Sequence, residues 1–192
     1  IRVNEVEIVS DRIPEAFDGY RFVQITDTHV GTIVRPGREL SRLAECINAL
    51  RPDAVFFTGD LVNIRAEELD EGALTLLRQI EGPVWSVTGN HDIGTYIKDS
   101  VSFPAAAEAR EVIARQRSIG WRVLEDTTVY LRRGTDSISL TGISFDPALR
   151  DRRHDRDLPA PGIAKAFAGV PDSLYNITLV HLPQLWEQIG RA

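Results

Sequence analysis

The chain has 192 residues, 43% of them hydrophobic and 26% charged, which is typical of one folded domain and excludes a disordered segment. Its formal net charge of -6 disfavours nucleic-acid binding, because surfaces that bind nucleic acid neutralise phosphates with Lys and Arg. Cys46 is the single cysteine, so no internal disulfide can form and the fold depends on its core. No apolar run approaches the ~20 residues of a membrane span, so we expect residues 1–192 to form one soluble domain.

Apolar runs and helical periodicities alternate along the first half of the chain. A loose alternation over 3–9 and an apolar run at 20–26 each predict a strand. Apolar residues spaced i, i+3, i+4 and i+7 over 40–50 predict an amphipathic helix. Runs at 54–58 and 84–88 predict two more strands, with a second helix between them. This order predicts a parallel sheet with helical crossovers, in which functional groups gather beyond the carboxyl ends of the strands.

The second half of the chain has shorter elements. After an Ala-rich helix at 104–118, the apolar runs are short and closely spaced, the pattern of an antiparallel second sheet. These predicted strands lie near 121–124, 128–132 and 137–142. A short helix at 162–169, a buried strand at 175–181 and the start of a helix at Pro183 follow. The fold class predicted is α/β, with two sheets and flanking helices.

Polar residues of the types that bind metal ions follow four of the predicted strands. They lie in TDTHVG at 26–31, TGDLVN at 58–63, TGNHD at 88–92 and VHLP at 180–183. Taken singly, Asp or Asn after a strand is more often a turn residue or a helix cap, and a lone His is more often structural. Independent turns, however, have no reason to place oxygen and imidazole ligands at every strand end, so the combined pattern predicts a metal site.

The residue types also restrict the metal and its chemistry. Carboxylates and an amide oxygen mixed with imidazoles, without thiolates, suit Mn, Fe or Zn better than a soft-metal or calcium site. Because side chains alternate in an extended segment, Asp27 and His29 are expected to point the same way and to hold one ion together. Two divalent ions that share a carboxylate would activate a hydroxide and shield phosphate charge, which favours hydrolysis of a phosphate ester.

Three of these segments carry a resemblance to a known family. DTH at 27–29, GDLVN at 59–63 and GNHD at 89–92, followed by His181, resemble the calcineurin-like metallophosphoesterase superfamily. The segment IPEAFDGYRFVQITDTHVG at 13–31 resembles the membrane-associated bacterial branch of that superfamily. The resemblance implies an α/β metallophosphoesterase fold, a two-sheet sandwich flanked by helices.

The resemblance also implies a ligand set for two ions. Asp27 and His29 would bind the first ion, Asp60 would bridge both ions, and Asn90 with His181 would bind the second. The implied activity is hydrolysis of a phosphomonoester or phosphodiester by a hydroxide that the two metals activate. Serine hydrolases, P-loop NTPases and dinucleotide enzymes are disfavoured because their motifs do not occur in the sequence.

The resemblance assigns catalytic roles to the residues of the GNHD segment. His91, with Asn90, would contact the substrate phosphate, and His91 would protonate the leaving oxygen, a role open to a side chain that gains and loses protons near neutral pH. Asp92 would orient that imidazole or brace the loop, and Asn63 would support its loop.

One motif of the superfamily does not occur in the sequence. Members normally complete the site with GHxH beyond the strand that carries His181, and this motif would supply one more His to each ion. We expect that the motif and the remaining strands of the second sheet lie beyond Ala192 rather than having been lost. A catalytically incomplete metal-binding or interaction module on the same fold stays open as an alternative, as does a nuclease, which the acidic charge disfavours.

Substrate and location follow from the resemblance alone. The implied partner is a phosphorylated substrate, with a phospholipid or lipid-linked phosphate as one class, and a membrane anchor would precede Ile1 in a longer protein. The charged segment around His154 is interpreted mainly as a solvated loop, with Arg152 and Arg153 as a secondary candidate for contacting phosphate. Oligomeric state and the choice between monoester and diester are left open.

Overall fold

Two β-sheets form the centre of the fold, and helices cover their outer faces. The computed structural model describes residues 1–149 and 161–190. The strands are β1 (Phe22–Ile25), β2 (Ala54–Phe57), β3 (Val84–Ser86), β4 (Arg122–Val123), β5 (Thr127–Arg133), β6 (Asp136–Ile143) and β7 (Asn176–Val180). The α-helices are α1 (Pro36–Ala49), α2 (Glu71–Leu77), α3 (Ala105–Ser118), α4 (Pro161–Phe167) and α5 (Trp186–Ile189). Short 3-10 helices lie at Glu15–Phe17, Val30–Thr32, Ala66–Glu68, Pro147–Leu149 and Pro183–Leu185.

The first sheet is parallel and has the strand order β1-β2-β3-β4. Val23 pairs with Val55, and Phe56 pairs with Trp85, so the strands run in one direction. The carboxyl ends of β1, β2 and β3 therefore lie along one edge, as the alternation of strands and helices predicted. The mixed α/β architecture with two sheets is confirmed.

Strand β2 is buried on both faces, which explains its continuous apolar sequence. Val55 and Phe57 pack with residues of α1, α2 and α3. Ala54 and Phe56 face the opposite way and pack against Leu140 and other residues of the second sheet. The sheet is thus held between a helical layer and the second sheet, and its strand ends are fixed by core packing on both sides.

The second sheet has the order β5-β6-β7. Strands β5 and β6 are an antiparallel hairpin, and β7 pairs parallel to β6, with Leu140 opposite Ile177. Helix α4 covers this sheet, and Thr128 donates a hydrogen bond of 2.8 Å to the carbonyl of Ala166. The parallel placement of β7 brings His181, the residue after the strand, to the edge where the first sheet ends.

Three expectations about single elements were wrong. Residues 1–9 form no regular element, because their apolar side chains find no core, and Val6 is 80% exposed. Strand β4 pairs with β3 in the parallel sheet rather than in the second sheet. The apolar runs around the three tryptophans predict core or sheet-edge packing for each of them; Trp85 and Trp121 are buried, whereas Trp186 is 69% exposed.

The loop around His154, with Arg152 and Arg153, lies outside the described residues. Within the described ranges, no helix has both the length and the hydropathy that a membrane span requires.

Candidate metal centre

The loops that follow β1 and β2 stay paired beyond the ends of the strands. The backbone N–H of Asp27 donates to the Gly59 carbonyl over 3.0 Å, and that of His29 donates to the Asp60 carbonyl over 3.1 Å. A third bond of 2.9 Å joins the N–H of Val30 to the Leu61 carbonyl. These bonds fix the DTH segment against the GDL segment, so both motifs lie side by side at the carboxyl edge of the sheet.

The backbone is left-handed at three of the proposed ligands. The φ angles of Asp27, His29 and Asp60 are 52°, 42° and 60°. A non-glycine residue in this region is strained by roughly 1–2 kcal/mol, and such strain is concentrated at functional sites. The extended geometry assumed for Asp27 and His29 was therefore wrong, although their side chains still converge, with His29 Nε2 3.7 Å from Asp27 Oδ1.

Two glycines allow the second and third loops to touch. A Cβ atom on Gly59, where φ is +100°, would lie 2.7 Å from the backbone nitrogen of Gly89. A Cβ atom on Gly89 would lie 2.1 Å from Oδ1 of Asp60. Because any side chain would push the loops apart, these glycines set the distance between Asp60 and the GNHD segment.

The carboxylate of Asp60 lies at the centre of the cluster. Its Oδ2 is 3.6 Å from His29 Nε2, 3.5 Å from His181 Nε2 and 4.0 Å from His91 Nε2. Its Oδ1 accepts a hydrogen bond of 2.9 Å from the backbone N–H of His91, which fixes the carboxylate plane. The Asp60 side chain is only 4% exposed. One buried carboxylate oxygen thus faces three imidazole nitrogens.

The ligand atoms fall into two groups that share Asp60. One group contains His29, Asp60 and His91, the other contains Asp27, Asp60 and His181, and within each group the atoms lie within 4.8 Å of one another. This division differs from the one that the resemblance implies, in which Asp27 and His29 share an ion and His91 is no ligand. In both divisions Asp60 is common to the two sites.

The contacts of His181 fit a bound cation. Its Nδ1 lies 2.9 Å from the carbonyl oxygen of Thr58, and since a carbonyl can only accept, Nδ1 carries the proton. Its Nε2 faces Asn90 Oδ1 at 3.0 Å and Asp60 Oδ2 at 3.5 Å. With Nε2 unprotonated, these three atoms are all acceptors, an arrangement that a bound cation would match. A backbone carbonyl on the other ring nitrogen is also the usual support of a metal-binding histidine.

His91 is held in a similar way from the loop after β2. Its Nδ1 lies 2.5 Å from the carbonyl oxygen of Asn63, which directs Nε2 towards Asp60. The His91 ring meets the His29 ring edge-on at 4.5 Å, and the His91 side chain is 23% exposed. His91 is thus both oriented and open to solvent, and Asn63 contributes through its carbonyl rather than its side chain.

Asp92 lies beneath the centre and is fully buried. Its carboxylate accepts backbone N–H groups from Asp60, Leu61, Val62 and Gly89 at 2.8–3.1 Å. Burial raises the pKa of Asp92 to about 6, although the N–H groups of Gly89 and Val62 oppose the shift by favouring the charged form. Of the two roles considered for Asp92, these contacts favour bracing the loops over orienting His91.

Two residues near the centre were not anticipated from the sequence. Glu68 accepts backbone N–H groups from Gly31, Asn63, Ile64 and Arg65, with distances of 2.5–3.1 Å. Glu68 accepts the backbone N–H of Arg65, as the Glu of a capping box does, but Arg65 stands where the Ser or Thr that marks such a box in a sequence would be. Tyr96 stacks on His91, and no pattern in the sequence indicated it.

We predict that Glu68→Ala destabilises the fold by about 2 kcal/mol, because it leaves four backbone N–H groups without their acceptor. The matched control is Glu67→Ala, since Glu67 is 63% exposed and pairs only with Arg65 among the contacts described. Thermal unfolding of both variants is the measurement. Equal midpoints for the two variants would contradict the bracing role of Glu68.

The sequence matches the calcineurin-like phosphoesterase family over residues 20–189. It is 29% identical over 187 residues to the protein of Bacillus subtilis (strain 168) named uncharacterized metallophosphoesterase YkuE. It is 37% identical over 195 residues to the transmembrane protein with metallophosphoesterase domain of Danio rerio. It is 30% identical over 95 residues to the UDP-2,3-diacylglucosamine pyrophosphatase LpxG of Chlamydia muridarum (strain MoPn / Nigg).

The first two similarities extend over most of the chain, and all three extend over a smaller share of the relative than of the chain. The matches to the Bacillus and Danio proteins cover 95% and 97% of the chain, and 58% and 40% of the relatives themselves. The match to the Chlamydia protein covers 47% of the chain and 29% of that relative.

Proposed function

Because the chain belongs to the calcineurin-like phosphoesterase family, we propose that it hydrolyses phosphate esters with two divalent metal ions. The proposed ligands are Asp27, His29, Asp60, Asn90 and His181. The observation that carries the proposal is the position of Asp60: its Oδ2 lies 3.6 Å from His29 Nε2 and 3.5 Å from His181 Nε2, and Asp60 belongs to both ligand groups. The oxygen and imidazole donors suit Mn, Fe or Zn.

When bound, two such ions would lower the pKa of a water molecule and neutralise charge on the phosphate. The chain itself provides the fixed geometry. Thr58 and Asn63 hold the rings of His181 and His91 through backbone carbonyls, and the backbone N–H of His91 holds Asp60. These contacts hold the metal-ligating atoms in place before an ion or a substrate binds. Such preorganisation is a large part of what a protein contributes to catalysis.

For His91 we propose the role of general acid. Since Nδ1 faces a carbonyl, which cannot donate, a proton on Nε2 makes the ring an imidazolium, the form that can protonate a leaving oxygen. The Nε2 atom of His91 lies 4.0 Å from the carboxylate of Asp60. Asn90 would contact the same phosphate. The competing role, that of a metal ligand, is left open by the grouping of His91 with His29 and Asp60.

We predict that His91→Ala lowers kcat by roughly 10²–10⁴-fold, the contribution typical of a general acid, while metal content stays unchanged. Turnover of an aryl phosphate and metal content by elemental analysis are measured on the same sample. Loss of a metal ion together with activity would identify His91 as a ligand and refute the general-acid role.

The substrate class we propose is a lipid-linked phosphate. The support comes from relatives, since one named relative is a pyrophosphatase of UDP-2,3-diacylglucosamine and another is a transmembrane protein. Membrane association of a longer protein belongs to the same proposal. The test compares an aryl phosphate, an aryl phosphodiester, a diacylated sugar-nucleotide pyrophosphate and single-stranded DNA at equal concentrations. The highest kcat/KM is expected for the lipid substrate, and preferential cleavage of DNA would overturn the substrate class.

A further inference from the structure

The loop that follows the GNHD segment folds back over it and places Tyr96 against two residues of the centre. The hydroxyl of Thr95 donates to the carbonyl of Asn90 over 2.5 Å, which closes the turn. The ring of Tyr96 stacks on that of His91, with centroids 4.2 Å apart and planes at 25°. The side-chain amide of Asn90 donates from Nδ2 to the hydroxyl oxygen of Tyr96 over 2.9 Å.

The contact with Asn90 matters because the two ends of an amide are chemically different. Only the oxygen of Asn90 can bind a cation, whereas the NH2 group can only donate. In the structure Oδ1 faces His181 Nε2 at 3.0 Å and Nδ2 faces Tyr96. A turn of the amide by 180° would place two hydrogens, in place of the oxygen, at the metal centre. The hydrogen bond from Nδ2 to the Tyr96 hydroxyl therefore affects whether Oδ1 is placed to bind a metal ion.

We propose that Tyr96 is a positioning residue for the metal centre: its hydroxyl accepts the Asn90 amide N–H and so stabilises the orientation in which Asn90 Oδ1 faces the metal. This inference rests on the proposed function, since it assumes that Asn90 binds a metal ion. In a metal-free chain the turned amide is also paired, because Nδ2 can donate to His181 and the Tyr96 hydroxyl can donate to Oδ1. A cation on Oδ1 polarises the amide and makes its N–H a stronger donor, so the hydrogen bond to the Tyr96 hydroxyl is stronger in the metal-binding orientation. Removing the hydroxyl therefore costs the metal-binding orientation more than the turned one.

The test is the affinity for Mn²⁺, measured by titration calorimetry on the unmodified protein and on Tyr96→Phe. Phe keeps a ring to stack on His91 and removes only the hydroxyl. Because the metal-binding orientation loses the stronger hydrogen bond, Mn²⁺ binding at one site is expected to weaken by roughly 3- to 10-fold. Tyr130→Phe is the matched control, because Tyr130 lies on β5 and is 44% exposed. The control is expected to bind Mn²⁺ as the unmodified protein does.

A double-mutant cycle distinguishes amide orientation from a general effect on the loop. In an Asn90→Asp background both side-chain ends are oxygens, so no orientation needs to be fixed. Adding Tyr96→Phe to that background should therefore not weaken Mn²⁺ binding further. An equal loss in both backgrounds, or no loss in the single variant, would overturn the role of Tyr96 and leave the metal centre standing. Absence of Mn²⁺ binding in the unmodified protein would instead refute the metal centre, and this role with it.

Discussion

Asp60→Asn is expected to lower turnover by on the order of 10³-fold or more and to weaken metal binding at both sites. The amide oxygen of Asn can still accept the N–H of His91, which Asp60 Oδ1 accepts at 2.9 Å, so the loop should keep its shape. The exchange removes the negative charge and the Oδ2 atom that His29 and His181 face at 3.6 and 3.5 Å. Calorimetric titration with Mn²⁺ and hydrolysis of an aryl phosphate measure the two effects.

The matched control for this prediction lies at the other end of the same strand. Asp53 precedes β2, is exposed, and accepts the backbone N–H of Arg21 at 2.8 Å. Asp53→Asn removes the same charge from the chain without touching the cluster, so metal binding and turnover should stay close to those of the unmodified protein. If Asp60→Asn kept full Mn²⁺ affinity, the sharing of Asp60 between two ions would be disproved.

The largest effect on stability is expected for Asp92→Ala. The four N–H groups that Asp92 accepts belong to two different loops, and Asp92 is fully buried. Removing a buried charged acceptor of this kind costs about 3–5 kcal/mol, and such a loss corresponds to a fall in Tm of about 10 °C in a protein of this size. Thermal unfolding followed by circular dichroism is the measurement.

Asp99→Ala is the comparison for this second prediction. Asp99 lies on the exposed part of the loop after GNHD, where Ser102 lowers the pKa of its carboxyl by hydrogen bonding. The Tm of Asp99→Ala should change little. A Tm for Asp92→Ala close to that of Asp99→Ala would show that the backbone N–H groups are satisfied in another way, and the bracing role of Asp92 would be wrong.

The strand-end pattern predicted the position of the candidate site because it depends on topology alone. Once strands and helices alternate, parallel pairing follows, and Asp60 and Asn90 must reach the same edge of the sheet. One assumption about local backbone conformation was wrong, but it did not change the predicted position of the site. Asp27 and His29 are left-handed rather than extended, yet the bonds from their N–H groups to Gly59 and Asp60 bring both side chains to the cluster.

The contacts that orient the side chains were not predictable in the same way. Thr58 and Asn63 act through backbone carbonyls, which any residue possesses, so the sequence carries no sign of them. Tyr96 reaches Asn90 only because the intervening turn folds back, and its position depends on the fold of residues 90–96. Hydrophobic patterning also does not show whether an apolar run will pair with another strand or which sheet it will join. For that reason β4 was assigned to the wrong sheet and residues 3–9 to a strand.

The central claim is that two metal ions share Asp60, and anomalous diffraction from crystals grown with Mn²⁺ tests it most directly. The expected result is two anomalous peaks roughly 3.5–4 Å apart, both adjacent to the Asp60 carboxylate. The peaks should lie among Asp27, His29, Asn90 and His181, with neither ion bound to His91. A single peak, or peaks that do not touch Asp60, would contradict the two-metal account.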